Sequence, residues 1–163
     1  MAELDIIGVL LKILDELLDG TAPGGTGWVF NPGDAGLLGS LDKLSARDAS
    51  AVPSGGGASI AAHVDHLRYG LELMNRWNRG EDAFVNADYS ASWSRGEVSE
   101  AEWKARRESL RSEAYAWREA VKRPHQPGEF ELTGIAAGIA HLAYHLGAIR
   151  QINRSSRGPS AKD

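Results

Sequence analysis

Residues 60–71 read IAAHVDHLRYGL, and residues 135–146 read IAAGIAHLAYHL. Aligned, Ile60-Ala61-Ala62 matches Ile135-Ala136-Ala137, Val64 matches Ile139, and His66-Leu67 matches His141-Leu142. Tyr69 then matches Tyr144, and Leu71 matches Leu146. Both copies carry apolar residues at spacings of three and four, the signature of a helix with one buried face. Each copy holds a histidine at the same phase of that pattern. The second copy adds His145, one turn beyond His141.

Two more stretches share this periodicity. Around 2–19, Leu4, Ile7, Leu11, Leu14 and Leu18 form a stripe that Ile6, Leu10, Ile13 and Leu17 widen. A stripe that broad predicts burial on more than one side. Gly20 and Pro23 end it. Ser99-Glu100-Ala101-Glu102 is a capping-box pattern, and Trp103, Leu110, Ala114, Trp117 and Val121 follow it as a stripe ending before Pro124. Ser59 caps the first copy, which runs to about Trp77 or Arg79 and closes at Gly80. The last helix is expected from about Thr133 to Asn153. Val29-Phe30 and Glu129–Leu132 are too short to seed a sheet. The expected fold is all-α, a four-helix bundle with long crossover loops at 20–58 and 80–98. Leu37, Leu38, Leu41 and Leu44 predict a short helix in the first crossover. The bundle domain spans 1–154, and the polar tail 155–163 is expected to fray.

Composition narrows the function. The 163 residues suit one domain, and a net charge of −4 argues against nucleic acid. Arg106, Arg107 and Arg111 cluster, but Glu102, Glu108 and Glu113 interleave with them, so the run reads as a solvated helix face. With no cysteine, thiolate metal sites, disulfides and a cysteine nucleophile are all excluded. The N-terminal stretch is not a signal peptide, because Glu3 and Asp5 stand where positive charge is needed. Lys12, Asp15 and Glu16 interrupt it, so it is not a membrane span. The simplest location is the cytoplasm.

Chemistry therefore rests on the histidines. Residues four apart lie ~40° apart on a helix, so His141 and His145 can grip one ion. His66 and His141 lie at the margin of their stripes, where a bundle places ligands lining a cleft. From the residues alone two readings stand: a three-histidine metal site, or three separate core-edge histidines bonded to carbonyls or water. His63 reads as core packing or as a support for a ligand, and His125, between Pro124 and Pro127, as solvated. Asp34, Asp42, Asp65 and Glu72 are candidates to orient a ligand, though each reads more readily as a solvated surface acid. Trp103 and Trp117 belong to the core. Trp28 and Trp93 either roof the site or anchor loops, and anchoring is the simpler reading.

Ser59-Ile60-Ala61-Ala62-His63-Val64-Asp65-His66-Leu67 and His141-Leu142-Ala143-Tyr144-His145, followed by Gly147 and Ile149-Arg150-Gln151-Ile152, resemble the DinB-like superfamily, which includes YfiT-type proteins classed as metal-dependent hydrolases. The resemblance follows the whole helix order, but its specific part is about thirty residues. It implies a four-helix bundle with a divalent metal on three histidines, here His66, His141 and His145. Zinc or nickel come first as the ion, manganese or iron next, since all accept imidazole. Three neutral ligands leave coordination positions open, as in catalytic sites. The expected chemistry is hydrolysis of a small molecule, or activation of a thiol cofactor as in the family's S-transferases and isomerases. The rival is a non-catalytic metal- or ligand-binding bundle, stress-associated. No general acid or base is identifiable. The broad stripe of the first helix makes a homodimer the expected assembly.

Overall fold

A computed structural model describes residues 4–93 and 96–160. Among these are seven α-helices, one 3-10 turn and no strand: α1 (Ile6–Asp19), α2 (Gly36–Asp42), α3 (Ala46–Ser50), α4 (Ile60–Asn78), α5 (Ser90–Trp93), α6 (Glu100–Lys122), α7 (Glu129–Ile152) and the turn Arg154–Ser156. The bundle is α1, α4, α6 and α7. Contacts join α1 to α6 and α7, and α4 to α6 and α7, so α1 lies diagonally across from α4. The crossover through α2 and α3 spans that diagonal, which is why it needs its length.

Local chemistry sets the boundaries. Asp5 caps α1 by accepting from the Gly8 amide at 2.8 Å, so the helix starts at Ile6 and not near residue 2; residues 1–3 lie outside the described residues. Ser59 caps α4 through the Ala62 amide. Ser99 and Glu102 form the reciprocal box expected for α6. The helix α7 starts at Glu129, earlier than expected, because Gly128 serves as N-cap and Glu129 and Glu131 suit the positive end of the helix dipole. The helix in the crossover is α2, and Ser45 and Asp48 box a second one, α3, directly behind it.

All five stripe residues of α6 are buried, as are Ile135, Ile139, Leu142, Leu146 and Ile149 of α7. By length and apolarity α7 is able to cross a bilayer, yet here those five side chains pack in the bundle core. The Trp103 indole donates to the Leu44 carbonyl at 2.7 Å, pinning α6 to the crossover. The broad stripe of α1 is buried over its second half only: Leu14, Leu17 and Leu18 are in the core, while Ile6 and Val9 are exposed.

Several acids expected at the surface are structural. Glu16 is buried and accepts from the amides of Trp28, Val29 and Phe30 at 2.7–2.8 Å. Burial pushes its carboxyl up, but the three amides outweigh this and hold it below the usual range. Asp34 is buried and bridged to Arg150 at 2.7 Å, and Asp65 is buried against Arg106. Arg107 and Arg111 both reach Asp42. The arginine run is thus a clamp from α6 onto α4 and α2, not a solvated face. The tail also departs from expectation. Ser156 is fully buried, the Arg157 guanidinium donates to the Arg150 carbonyl at 2.9 Å, and Asn31 donates to the Pro159 carbonyl at 2.9 Å. Residues 154–160 are docked on the bundle; 161–163 lie outside the described residues.

Candidate metal centre

Adjacent helices bring the predicted trio together. His66 projects from α4, His141 and His145 from α7, and one ligand nitrogen of each lies within 4.8 Å of the other two. His141 Nε2 is 3.1 Å from His66 Nε2 and 2.9 Å from His145 Nε2. His145 is 3% exposed and His66 9%.

The donor set fits a cation. A neutral imidazole has one N–H and one lone pair. His141 Nε2 faces two other nitrogens, so its single proton or lone pair satisfies at most one of them. A divalent ion accepting all three lone pairs removes the conflict, and zinc–imidazole bonds of about 2.0–2.1 Å would place nitrogens only slightly further apart than the 2.9 and 3.1 Å by which His145 and His66 approach His141.

The surrounding groups set the tautomers that such binding needs. His66 Nδ1 lies 3.4 Å from Ser92 Oγ, whose own hydroxyl donates to the Tyr89 carbonyl. Ser92 is therefore the acceptor for His66 Nδ1–H, leaving Nε2 as a lone pair. His145 Nδ1 is 2.8 Å from His63 Nδ1. With His145 Nε2 turned to the centre, its Nδ1–H donates to His63, the usual device for orienting a metal-binding imidazole. His63 thus takes the supporting role that the sequence left open between it and packing.

Burial, reinforced by the neighbouring imidazoles, pushes His66 down to about 4 and His145 down to about 3. His63 and His141 are also lowered by burial. All four are therefore neutral at pH 7, the form that ligates metal.

Trp93 overturns its expected role. Its ring stacks on His66 with centroids 4.4 Å apart and meets His63 edge-on at 5.4 Å. It roofs the trio and does not merely anchor a loop. The Trp28 ring does neither, being 81% exposed, although its amide is tied to Glu16. The short helix α5 that presents Trp93 is set by Asp88, which accepts from the Ser90 amide at 2.9 Å while its own amide donates to the Tyr69 hydroxyl. Ser92 and Tyr89 escaped the sequence reading, because nothing in an isolated Tyr-Ser-Ala-Ser-Trp run ties it to a helix twenty residues earlier. His125 is exposed as expected, bonded to Glu131 and the Arg123 carbonyl. Among the described residues no hydrogen bond joins Asp34, Asp42, Asp65 or Glu72 to a trio histidine; each is paired with an arginine, and Asp34 also accepts from the Gly36 amide.

No curated protein and no solved structure matches the chain significantly. A family model does, over residues 34–149, from the buried acid before α2 to the last core isoleucine of α7. That span contains all three histidines, and with the all-helical bundle around them the chain belongs to the DinB superfamily.

Proposed function

We propose that this protein is a metal-dependent enzyme acting on a small molecule, with a divalent ion, zinc or nickel foremost, held by His66, His141 and His145. The observation that carries the reading is the convergence of three imidazoles, two buried and one half-buried, which share one centre and cannot all satisfy one another. When bound there, such an ion supplies Lewis acidity, acidifying water or a thiol or polarising a carbonyl.

The chain supplies position and exclusion. Ser92 and His63 orient two of the rings, and Trp93 keeps water from one side of them. The other side opens on a groove lined by Gly70, Tyr89 and Gly138 beside His66 and His141. Burial raises the Tyr89 hydroxyl, so it remains a proton donor at neutral pH. Among the described residues no carboxylate lines that groove. This favours thiol-cofactor activation, or hydrolysis relying on the ion's acidity, over chemistry driven by a carboxylate base.

The same feature favours a second reading, a bundle that binds metal and ligand without turnover. Metal analysis of the purified chain separates the cases. One ion per chain is expected, lost in His66→Ala and His141→Ala while helical circular dichroism is kept. Unfolding of both variants in metal-free buffer would instead mean that the rings serve packing. A screen of thiol cofactors and small esters and amides then reads turnover, and bound metal with no turnover supports the second reading.

A further inference from the structure

The histidines stand at one end of a longer trough. The groove beside His66 and His141 has a volume of about 580 Å³ and continues into a more enclosed cavity of about 150 Å³ near the α6–α7 turn. Met74, Phe84 and Gly134 line both, so the two cavities adjoin end to end along α4 and α7. The far end is aromatic, walled by Trp77, Trp117 and Phe130. His66 and Trp77 are eleven residues apart on α4, as are His141 and Phe130 on α7; at 1.5 Å rise per residue the trough is ~16 Å long.

Two glycines keep it open. Gly70 and Gly134 lie inside α4 and α7, where glycine weakens a helix. Neither has a positive φ, and a Cβ on either would meet nothing within 4 Å. Backbone conformation and close packing therefore leave both unexplained. Gly138 differs, since a Cβ there would meet the Trp117 ring at 2.7 Å. What Gly70 and Gly134 share is a place on the wall of the trough.

Charge limits the occupant. Among the described residues no lysine or arginine lines either cavity, and the far one has only Asn78 and Glu131 as polar side chains besides the Trp77 and Trp117 indoles. Nothing along the wall compensates a phosphate or several carboxylates. An anionic group is accommodated only at the histidine end.

We propose that the ligand is amphipathic: a single anionic, metal-binding head at the histidines and an unbranched medium-length acyl or alkyl tail along the trough to Trp77 and Phe130. The head rests on the metal reading above; the tail does not.

The test uses the full chain in zinc-loaded and metal-stripped forms. Acetohydroxamate, hexanohydroxamate and decanohydroxamate are titrated calorimetrically into the loaded protein. Affinity is expected to rise with tail length, by up to ~4-fold per methylene buried. Gly134→Leu, which fills the trough and raises helix propensity, should cut the decano-to-aceto affinity ratio by at least ~10-fold; if it fails to fold, Gly70→Leu takes its place. The alcohol n-decanol, titrated into metal-stripped protein, reads the trough without the metal. Decanol binding that the leucine variant abolishes supports the proposal even if the chain holds no zinc, in which case the metal reading alone fails. Bound zinc with equal affinity for the short and long hydroxamates overturns the proposal. So does absence of decanol binding, whatever the zinc content.

Discussion

At the scale of single residues, the centre depends on which nitrogen of each ring carries a proton. His63 is the informative position, because it touches His145 and stands outside the trio. His63→Ala removes the acceptor for His145 Nδ1–H and should weaken metal binding by about 10- to 100-fold while leaving the fold intact; competition with a metallochromic chelator measures it. The lowered histidines also predict a pH dependence. In metal-free protein the folded state disfavours protonating His66, held at about 4 against an ordinary 6.5. Between these values the unfolded chain binds more protons than the folded one, so stability rises with pH. The urea midpoint should be at its plateau above pH 6.5 and fall as the pH drops toward about 4. His66→Phe and His145→Phe should each flatten that fall. Trp93 offers an optical reading: its contact with His66 predicts a fluorescence change on zinc binding that Trp93→Phe abolishes.

At the scale of elements, the crossover 20–58 is held by buried polar groups more than by its own helices. Glu16→Ala removes the acceptor for three amides. Hydrogen bonds to a charged group are worth about 1.5–3 kcal/mol each, and removing the buried charge offsets part of their loss, so a net loss of about 2–3 kcal/mol is expected in urea denaturation, with a larger loss if the freed amides stay dry. By contrast Ser99→Ala, at an exposed cap, should cost only about 1 kcal/mol. The caps at Ser59 and Ser99 were legible in the sequence because capping is a local affair of three or four residues. The buried acids were not: Glu16, Asp34 and Asp65 look like ordinary surface charges until partners 12 to 116 residues away come into contact.

For the molecule as a whole, the diagonal placement of α1 against α4 leaves the outer end of α1 uncovered, with Ile6 and Val9 exposed. The homodimer proposed from the sequence would cover that end. Sedimentation velocity should then show a dimer that Val9→Asp shifts to monomer without lowering helix content; a monomer in the parent chain would reject the assembly. The Asp34–Arg150 pair ties the crossover to the end of α7 and should matter more to the bundle than any surface pair. Removing one partner of a buried pair strands a charge, so Asp34→Ala should cost about 3–5 kcal/mol.

The sequence by itself determined the four long helices, the inward faces of α4, α6 and α7, and the phase of the three histidines. Helical phase is a local property, and two copies of one pattern carry the same phase wherever they pack. It left the metal and scattered-histidine readings side by side, because phase says nothing about distance between helices. Only the tertiary structure decided that the rings meet, that Trp93 covers them, that His63 backs His145, and that a trough runs from them to an aromatic end. Each of these is a contact between segments distant in the chain, made by packing that no local pattern encodes.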